Sequence, residues 1–411
     1  MTLPSLFKTC FLSCCLALLT LTPYPVQAQT ESIRPEVLRP LIAAQELNNQ
    51  KKHADALARI AELDSLAAAN PLEVFTIERM RAVVMMASND PGNAAKALEK
   101  ALLTGRGPAA DRLALIENLA LIQYRQKDYN GAALWAGRYF ELGGQLDGLR
   151  TAQTQALYLS GQFKSASELL QQRLADDLKA QRKPEEIQLR LLASSYQQLK
   201  DDRAYANTLR SIARYYPKPE VWLELCYRLM KRKDFPSYLE IDVNRLMRAT
   251  GAQLDAEDLM EQAQLALRTG FTAEARDILV AAKALAKNAA PADALRLDEA
   301  LANVMRMQEE DKETLSDLDA QLAKAGDANP LVNVGLNLAI NGQFERAIAA
   351  LELAFNKGGL RQPEAARLRQ AYVLSLAGQR DKAITALAAV SGESAEAELA
   401  QLWRLHLERR P

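Results

Sequence analysis

From about Val37 to the end of this chain, apolar residues recur at spacings of three and four, and alternating runs of β-branched residues are absent. That period puts the apolar side chains on one face of a helix, so it predicts an all-α chain without strands. The residues that dominate it, Ala, Leu, Gln, Glu, Arg and Lys, are those with the smallest helix costs. The helical stretches come in pairs. A short pattern, Gly-Gln-Phe/Arg-x-x-Ala, separates them at Gly161 to Ala166, Gly342 to Ala347 and Gly378 to Ala383, with looser copies from His53 onward. Anchored on these turns, pairs open near Val37, Phe75, Leu113, Asp147, Glu186, Pro219, Ala256, Ala292, Ala328 and Glu364. A last helix follows from about Ser394 to Glu408. A period of roughly 34 to 38 residues implies stacked hairpins, none of which buries its apolar face without a neighbour.

Two positions per pair explain the packing. A small residue sits midway along the first helix, at Ala44, Ala82, Ala120, Thr154, Ala193, Cys226, Ala263, Gly335 and Ala371. Another sits early in the second helix, at Ala56, Ala94, Ala132, Ala166, Ala275, Ala347 and Ala383. Small side chains at a crossing let two helix backbones approach closely, and Leu98, Leu170, Leu279, Leu351 and Leu387 fill the space one turn on. Cys226, in the small-residue slot, reads as a buried structural thiol.

These units resemble tetratricopeptide repeats. Leu331, Gly335, Leu338, Gly342, Phe344, Ala347, Leu351 and Ala354 match that pattern residue by residue, and Trp222, Cys226 and Phe235, like Ala120, Tyr129 and Ala132, match part of it. Tyr205 and Tyr238 stand after the turn where Ala is usual, and Ala292 to Gly326 keeps only helical periodicity. The resemblance implies an α-solenoid of about ten such units in a right-handed superhelix with a C-terminal capping helix. Residues 29–217 would form an N-terminal array, and 218–411 a C-terminal array continuous with it. Two further stretches, Tyr215-Tyr216-Pro217-Lys218-Pro219-x-x-Trp222 and Lys357-Gly358-Gly359-Leu360-Arg361-Gln362-Pro363, are similar to exported bacterial tetratricopeptide proteins. Some of these accompany the TonB, ExbB and ExbD energy-transducing proteins, which implies a partner in the cell envelope.

The first 28 residues read differently. Lys8 is a positive n-region and Phe11 to Leu21 an apolar core; Val26-Gln27-Ala28 follows Pro23 and Pro25 as a small-x-small cleavage site. This is the pattern of a secretory signal, so the mature chain is expected to start near Gln29 and to be periplasmic or secreted. Cys14 and Cys15 leave a lipid-modified alternative, against which the short apolar stretch and Phe11-Leu12-Ser13 speak. Once Cys10, Cys14 and Cys15 are removed, Cys226 stands alone and no intramolecular disulfide is expected. The full chain has 51 basic and 51 acidic residues, a balance that argues against nucleic acid as a partner.

Catalytic constellations are not found in the sequence. His53 and His406 are the two histidines, and neither has a partner at metal-ligand spacing. Glu309-Glu310-Asp311 lacks the spaced ligands and Gly turn of a calcium loop. Gly105-x-Gly107 lacks both the third glycine and the preceding strand of a dinucleotide site. The expectation is a protein that is not an enzyme and carries no cofactor or metal.

What remains is surface recognition. Met86, Tyr124 and Tyr158 hold the same first-helix position in three consecutive units, where an extended peptide or helix could lie, or where the side chains could seal neighbouring helices. Asn118, Asn333 and Arg369 hold a slot that clamps a peptide carboxylate in some relatives, although the companion lysines are lacking here. Two functions compete. One is a scaffold for protein–protein interactions in an envelope complex, accessory to TonB-dependent transport. The other is a binding or chaperone module for a cell-wall or exported polysaccharide or a secreted substrate.

Overall fold

The computed structural model describes residues 32–66, 70–286, 290–315, 324 and 326–409, so the signal-like segment lies outside the described residues. Twenty α-helices and one 3-10 turn are described. In chain order they are α1 (Pro35–Asn49), α2 (His53–Ala61), α3 (Pro71–Ala87), α4 (Pro91–Leu103), α5 (Ala109–Arg125), α6 (Tyr129–Glu141) and α7 (Asp147–Leu159). Then follow α8 (Phe163–Lys179), α9 (Glu186–Leu199), α10 (Asp202–Tyr215), α11 (Pro219–Met230), α12 (Glu240–Ala249), α13 (Ala256–Arg268) and α14 (Thr272–Leu285). The last are α15 (Pro291–Leu315), α16 (Asn329–Ile340), α17 (Phe344–Lys357), α18 (Pro363–Leu376), α19 (Arg380–Ala388) and α20 (Ala395–Glu408). The chain divides within α7 into two compact units, one ending at Leu149 and the other opening at Arg150.

Local chemistry sets the helix ends. Asn70, Asp90, Asp128, Asp201 and Ser394 each accept a backbone N–H in the first turn that follows, and Asp255 and Asp258 form a reciprocal capping box. Inside the hairpins the first helix stops at one left-handed residue, seven positions after the small residue of the crossing. These are Lys51, Asn89, Lys127, Gly161, Lys200, Gly270, Gly342 and Gly378, with φ between 57° and 81°. At Gly342 the reversal is closed by two bonds, its own N–H to the Ala339 carbonyl and that of Gln343 to the Leu338 carbonyl, at 2.9 and 2.8 Å. The same pair of bonds closes the turn at Lys51, so lysine serves where glycine would be expected.

The small-residue positions are buried in both helices of the hairpins, Cys226 among them. Gly335 shows how tight the crossing is: a Cβ there would lie 2.8 Å from Leu351 Cγ and 3.1 Å from the Ala347 carbonyl oxygen. The first unit stacks α1/α2, α3/α4 and α5/α6, the first pair touching the second and the second touching the third. In the second unit α9/α10, α11/α12, α13/α14, α16/α17 and α18/α19 repeat the hairpin, with α15 packed on α14. The second helix expected after α15 falls in a stretch that lies outside the described residues. In each unit the fold is an α-solenoid of helix-turn-helix repeats.

The second unit does more than stack. Its last helix, α20, packs on α18 and α19 and also on α10 and α11, far earlier in the chain. Trp222, Leu225 and Leu229 of α11 share one apolar core with Leu399, Leu402 and Trp403 of α20. His406 sits edge-on to both Trp222 and Trp403, with ring centres 5.9 Å away in each case. The polar rim fits too. Glu398 accepts from Arg210 at 2.5 Å and from Arg232 at 2.7 Å, and Tyr238 donates to Glu396 at 2.5 Å. The helix expected to cap the array therefore also packs back on α10 and α11 of the same unit.

Candidate recognition surface

In the first unit, the first helices leave apolar side chains in solvent. Leu38 and Ile42 on α1 are 44% and 52% exposed, and Val83 and Met86 on α3 are 45% and 41% exposed. Aligned on the small residues Ala44 and Ala82, these four positions fall at helical spacing on one face, and α1 and α3 are in contact. Met86 thus belongs to an exposed apolar strip, and Asn118 on α5 is also exposed.

Tyr124 and Tyr158 are half-buried, because each closes its own hairpin. The Tyr124 ring meets Tyr129 edge-on at 5.7 Å, and Tyr158 meets Phe163 edge-on at 5.3 Å. The partner in both cases is the residue that opens the second helix. Asn48 and His53 hold the same two positions in the first hairpin and are joined by a 2.9 Å hydrogen bond between Oδ1 and Nδ1. Tyr158 reaches further, its hydroxyl lying 2.6 Å from Ser194 Oγ on α9. Burial raises the Tyr124 phenol above its ordinary pKa.

The three slots Asn118, Asn333 and Arg369 do not behave alike. Asn333 on α16 is exposed. Arg369 on α18 turns inward, its Nε 3.1 Å from Asp242 of α12 and its Nη2 donating to the Tyr238 carbonyl. It joins a buried cluster that the sequence did not announce. Arg245, fully buried on α12, bonds Asp242 through Nη1 at 2.7 Å and Glu274 of α14 through Nη2 at 2.7 Å. Its guanidinium lies between the rings of Phe271, at 4.7 Å, and Tyr372, at 5.2 Å. Arg248 bonds Glu274 and, at 2.6 Å, Gln262 Oε1. Burial is the largest single influence on Glu274 and would raise its pKa; the two arginines outweigh it and hold the carboxyl below its usual range. For Arg248 burial prevails, and its pKa is lowered.

A second feature missed in sequence is a basic cleft of about 890 Å³ where α10, α11 and α20 meet. Arg203, Arg210, Arg228 and Arg232 line it with Lys231 and Lys233, against Asp202, Glu393 and Glu398. All four arginines already hold a carboxylate, so the cleft is first of all the polar rim of the closure.

Cys226 is no nucleophile in this setting: burial pushes its thiol up to about 12, leaving it protonated at neutral pH. Among the described residues no group of three or more His, Cys, Asp or Glu could hold a metal ion, and no helix is long and apolar enough to cross a membrane.

No protein-family model and no curated protein matches the chain. Solved structures do align with it at low similarity. A chain of Naa15/Naa10 bound to HypK-THB is 14% identical over 88% of this chain, with a TM-score of 0.29, and this chain spans 64% of its length. Yeast Tom70 is 14% identical, with 90% of this chain and 95% of that one covered and a TM-score of 0.26. The P58(IPK) TPR domain is 13% identical, with 90% and 98% covered and a TM-score of 0.24. At these values the description of the fold rests on the helices and crossings themselves.

Proposed function

We propose that this chain is a non-enzymatic scaffold for protein–protein interactions, whose first unit takes up a polypeptide partner on the exposed strip of Leu38, Ile42, Val83 and Met86. That strip carries the reading. Exposed singly such side chains are ordinary, but aligned on neighbouring first helices they offer a shared apolar surface to an incoming segment. Tyr124 and Asn118 on α5 are proposed as further contacts within the first unit, and Tyr158 and Asn333 as separate candidate contacts of the second. The working place is proposed to be the periplasm, in an envelope complex accessory to TonB-dependent transport. The support for it is the signal-like N-terminal pattern and the two stretches similar to exported bacterial proteins.

The test is crosslinking and pull-down from the envelope of a Gram-negative host. Wild type should capture a defined partner, and Ile42→Asp with Val83→Asp should lose it without a change in melting temperature. Capture that survives both substitutions would refute the assignment of the strip. Address is checked separately: the mature protein should start near Gln29 and appear in the osmotic-shock fraction, whereas a lipid on Cys14 or Cys15 would overturn it.

A further inference from the structure

The buried cluster of the second unit is not balanced. Arg245, Arg248 and Arg369 converge on two carboxylates, those of Asp242 and Glu274. Glu274 accepts from both Arg245 and Arg248, and Asp242 from both Arg245 and Arg369, so each carboxylate is already shared. One positive charge is left over. Of the three arginines Arg248 is the most exposed, and it has placed N–H groups on Gln262 and Glu274 out of the five a guanidinium carries. Its side chain is 22% exposed, at the edge of the cluster.

That edge opens into a cleft of about 360 Å³, within the range of small-ligand sites. Arg248, Tyr372 and Glu274 are its polar end, the Glu274 carboxylate being taken up by Arg245 and Arg248. Ile278, Ile340, Phe344 and Leu376 make apolar walls. The other acid at the mouth, Asp277, is held by Arg276 at 2.6 Å. An excess charge at the edge of a buried cluster, beside apolar walls, suits an anion that brings its own apolar body.

We propose that this cleft binds a monocarboxylate with an apolar body, the carboxylate paired with Arg248 and the Tyr372 hydroxyl, and the body lying against Ile278, Ile340, Phe344 and Leu376. A dianion would exceed the single unbalanced charge, and a fully polar ligand would leave the walls wet. The carboxylate has two sources, a free branched-chain acid or the C-terminus of a polypeptide ending in an apolar residue. The site lies wholly in the second unit and does not depend on the polypeptide strip of the first.

Calorimetric titration of the full chain tests this with isocaproate and with a short peptide ending in leucine, its carboxyl free or amidated. The free carboxylate of at least one probe should bind, and the amidated peptide should bind at least about tenfold more weakly than the free one, or not at all. Binding by isocaproate but not the peptide assigns a free acid; tighter binding by the peptide assigns a chain terminus. Arg248→Gln should weaken binding by about tenfold or more while the melting temperature holds or rises, since two arginines then face two carboxylates. Leu376→Glu, at a 40% exposed wall position, supplies a carboxylate within the chain and should abolish binding even if Arg248→Gln folds poorly. No binding by either free carboxylate, equal binding by the amide, or unchanged binding by both variants would overturn the proposal.

Discussion

Glu398 stands 2.5 Å from Arg210, a residue 188 positions earlier in the chain, and the pair lies on the seam along which α20 meets α10 and α11. Arg232 shares the same carboxylate at 2.7 Å. All three side chains are less than a third exposed, so screening by solvent is incomplete and the geometry is worth more than an open surface pair.

Replacing Glu398 by Gln keeps the shape and removes the charge that two arginines share. The expected cost is about 2 kcal/mol, in the range for hydrogen bonds to charged groups. Hydrogen exchange should rise together in α10, α11 and α20, while the first unit keeps its protection. Protection unchanged in α10 and α11 would show that the apolar core alone holds the seam.

Gly335→Ala is the smallest change that tests the crossing. The added methyl meets Leu351 Cγ and the Ala347 carbonyl, and the carbonyl cannot yield without moving α17. Overpacking of this kind typically costs about 1 to 3 kcal/mol, to be read from chemical unfolding.

His406 gives the second unit a pH dependence. Burial, then the nearby charges of Arg409 and Arg380, lower its pKa from the ordinary 6.5, so the folded chain takes up a proton less readily than the unfolded one. Its contribution is complete above 6.5 and is lost as pH falls through the depressed folded value. The melting temperature of the seam should therefore fall between about pH 7 and pH 5, and His406→Gln should flatten that slope. An equal slope in the variant would assign the acid sensitivity elsewhere.

Lys200 carries a left-handed backbone with φ of 57°, where a Cβ crowds the following carbonyl. Lys200→Gly relieves that contact and loosens the unfolded chain, and the net should be a gain of up to about 1 kcal/mol. Thermal unfolding of the single variant reads it directly.

Much of this architecture was legible along the chain. Helix starts expected near Asp147, Glu186, Pro219 and Ala256 coincide with those observed, because period, caps and small-residue slots are properties of a few adjacent residues. The turns were harder to see. Glycine marked Gly161, Gly342 and Gly378, but Lys51, Asn89, Lys127 and Lys200 take the same conformation with a side chain that gives no signal. Seeing them required counting from the small residue and not looking for glycine. Arg369 shows the other limit. Its slot on the first helix of its hairpin was legible, whereas its partner, Asp242, lies 127 positions away on a helix whose acids look like any solvated face. The charge cluster and the return of α20 are both made of such distant pairs, and local pattern does not encode distance.

The return of α20 to α10 and α11 also bears on how this protein can change over generations. An open stack lengthens or shortens by whole repeats at little cost, since each hairpin touches only its neighbours. In the second unit an extra hairpin between α12 and α18 would carry α20 away from Trp222, and a lost one would drive it past. Repeat number there is fixed by fit, and the unit is left to diverge by substitution alone.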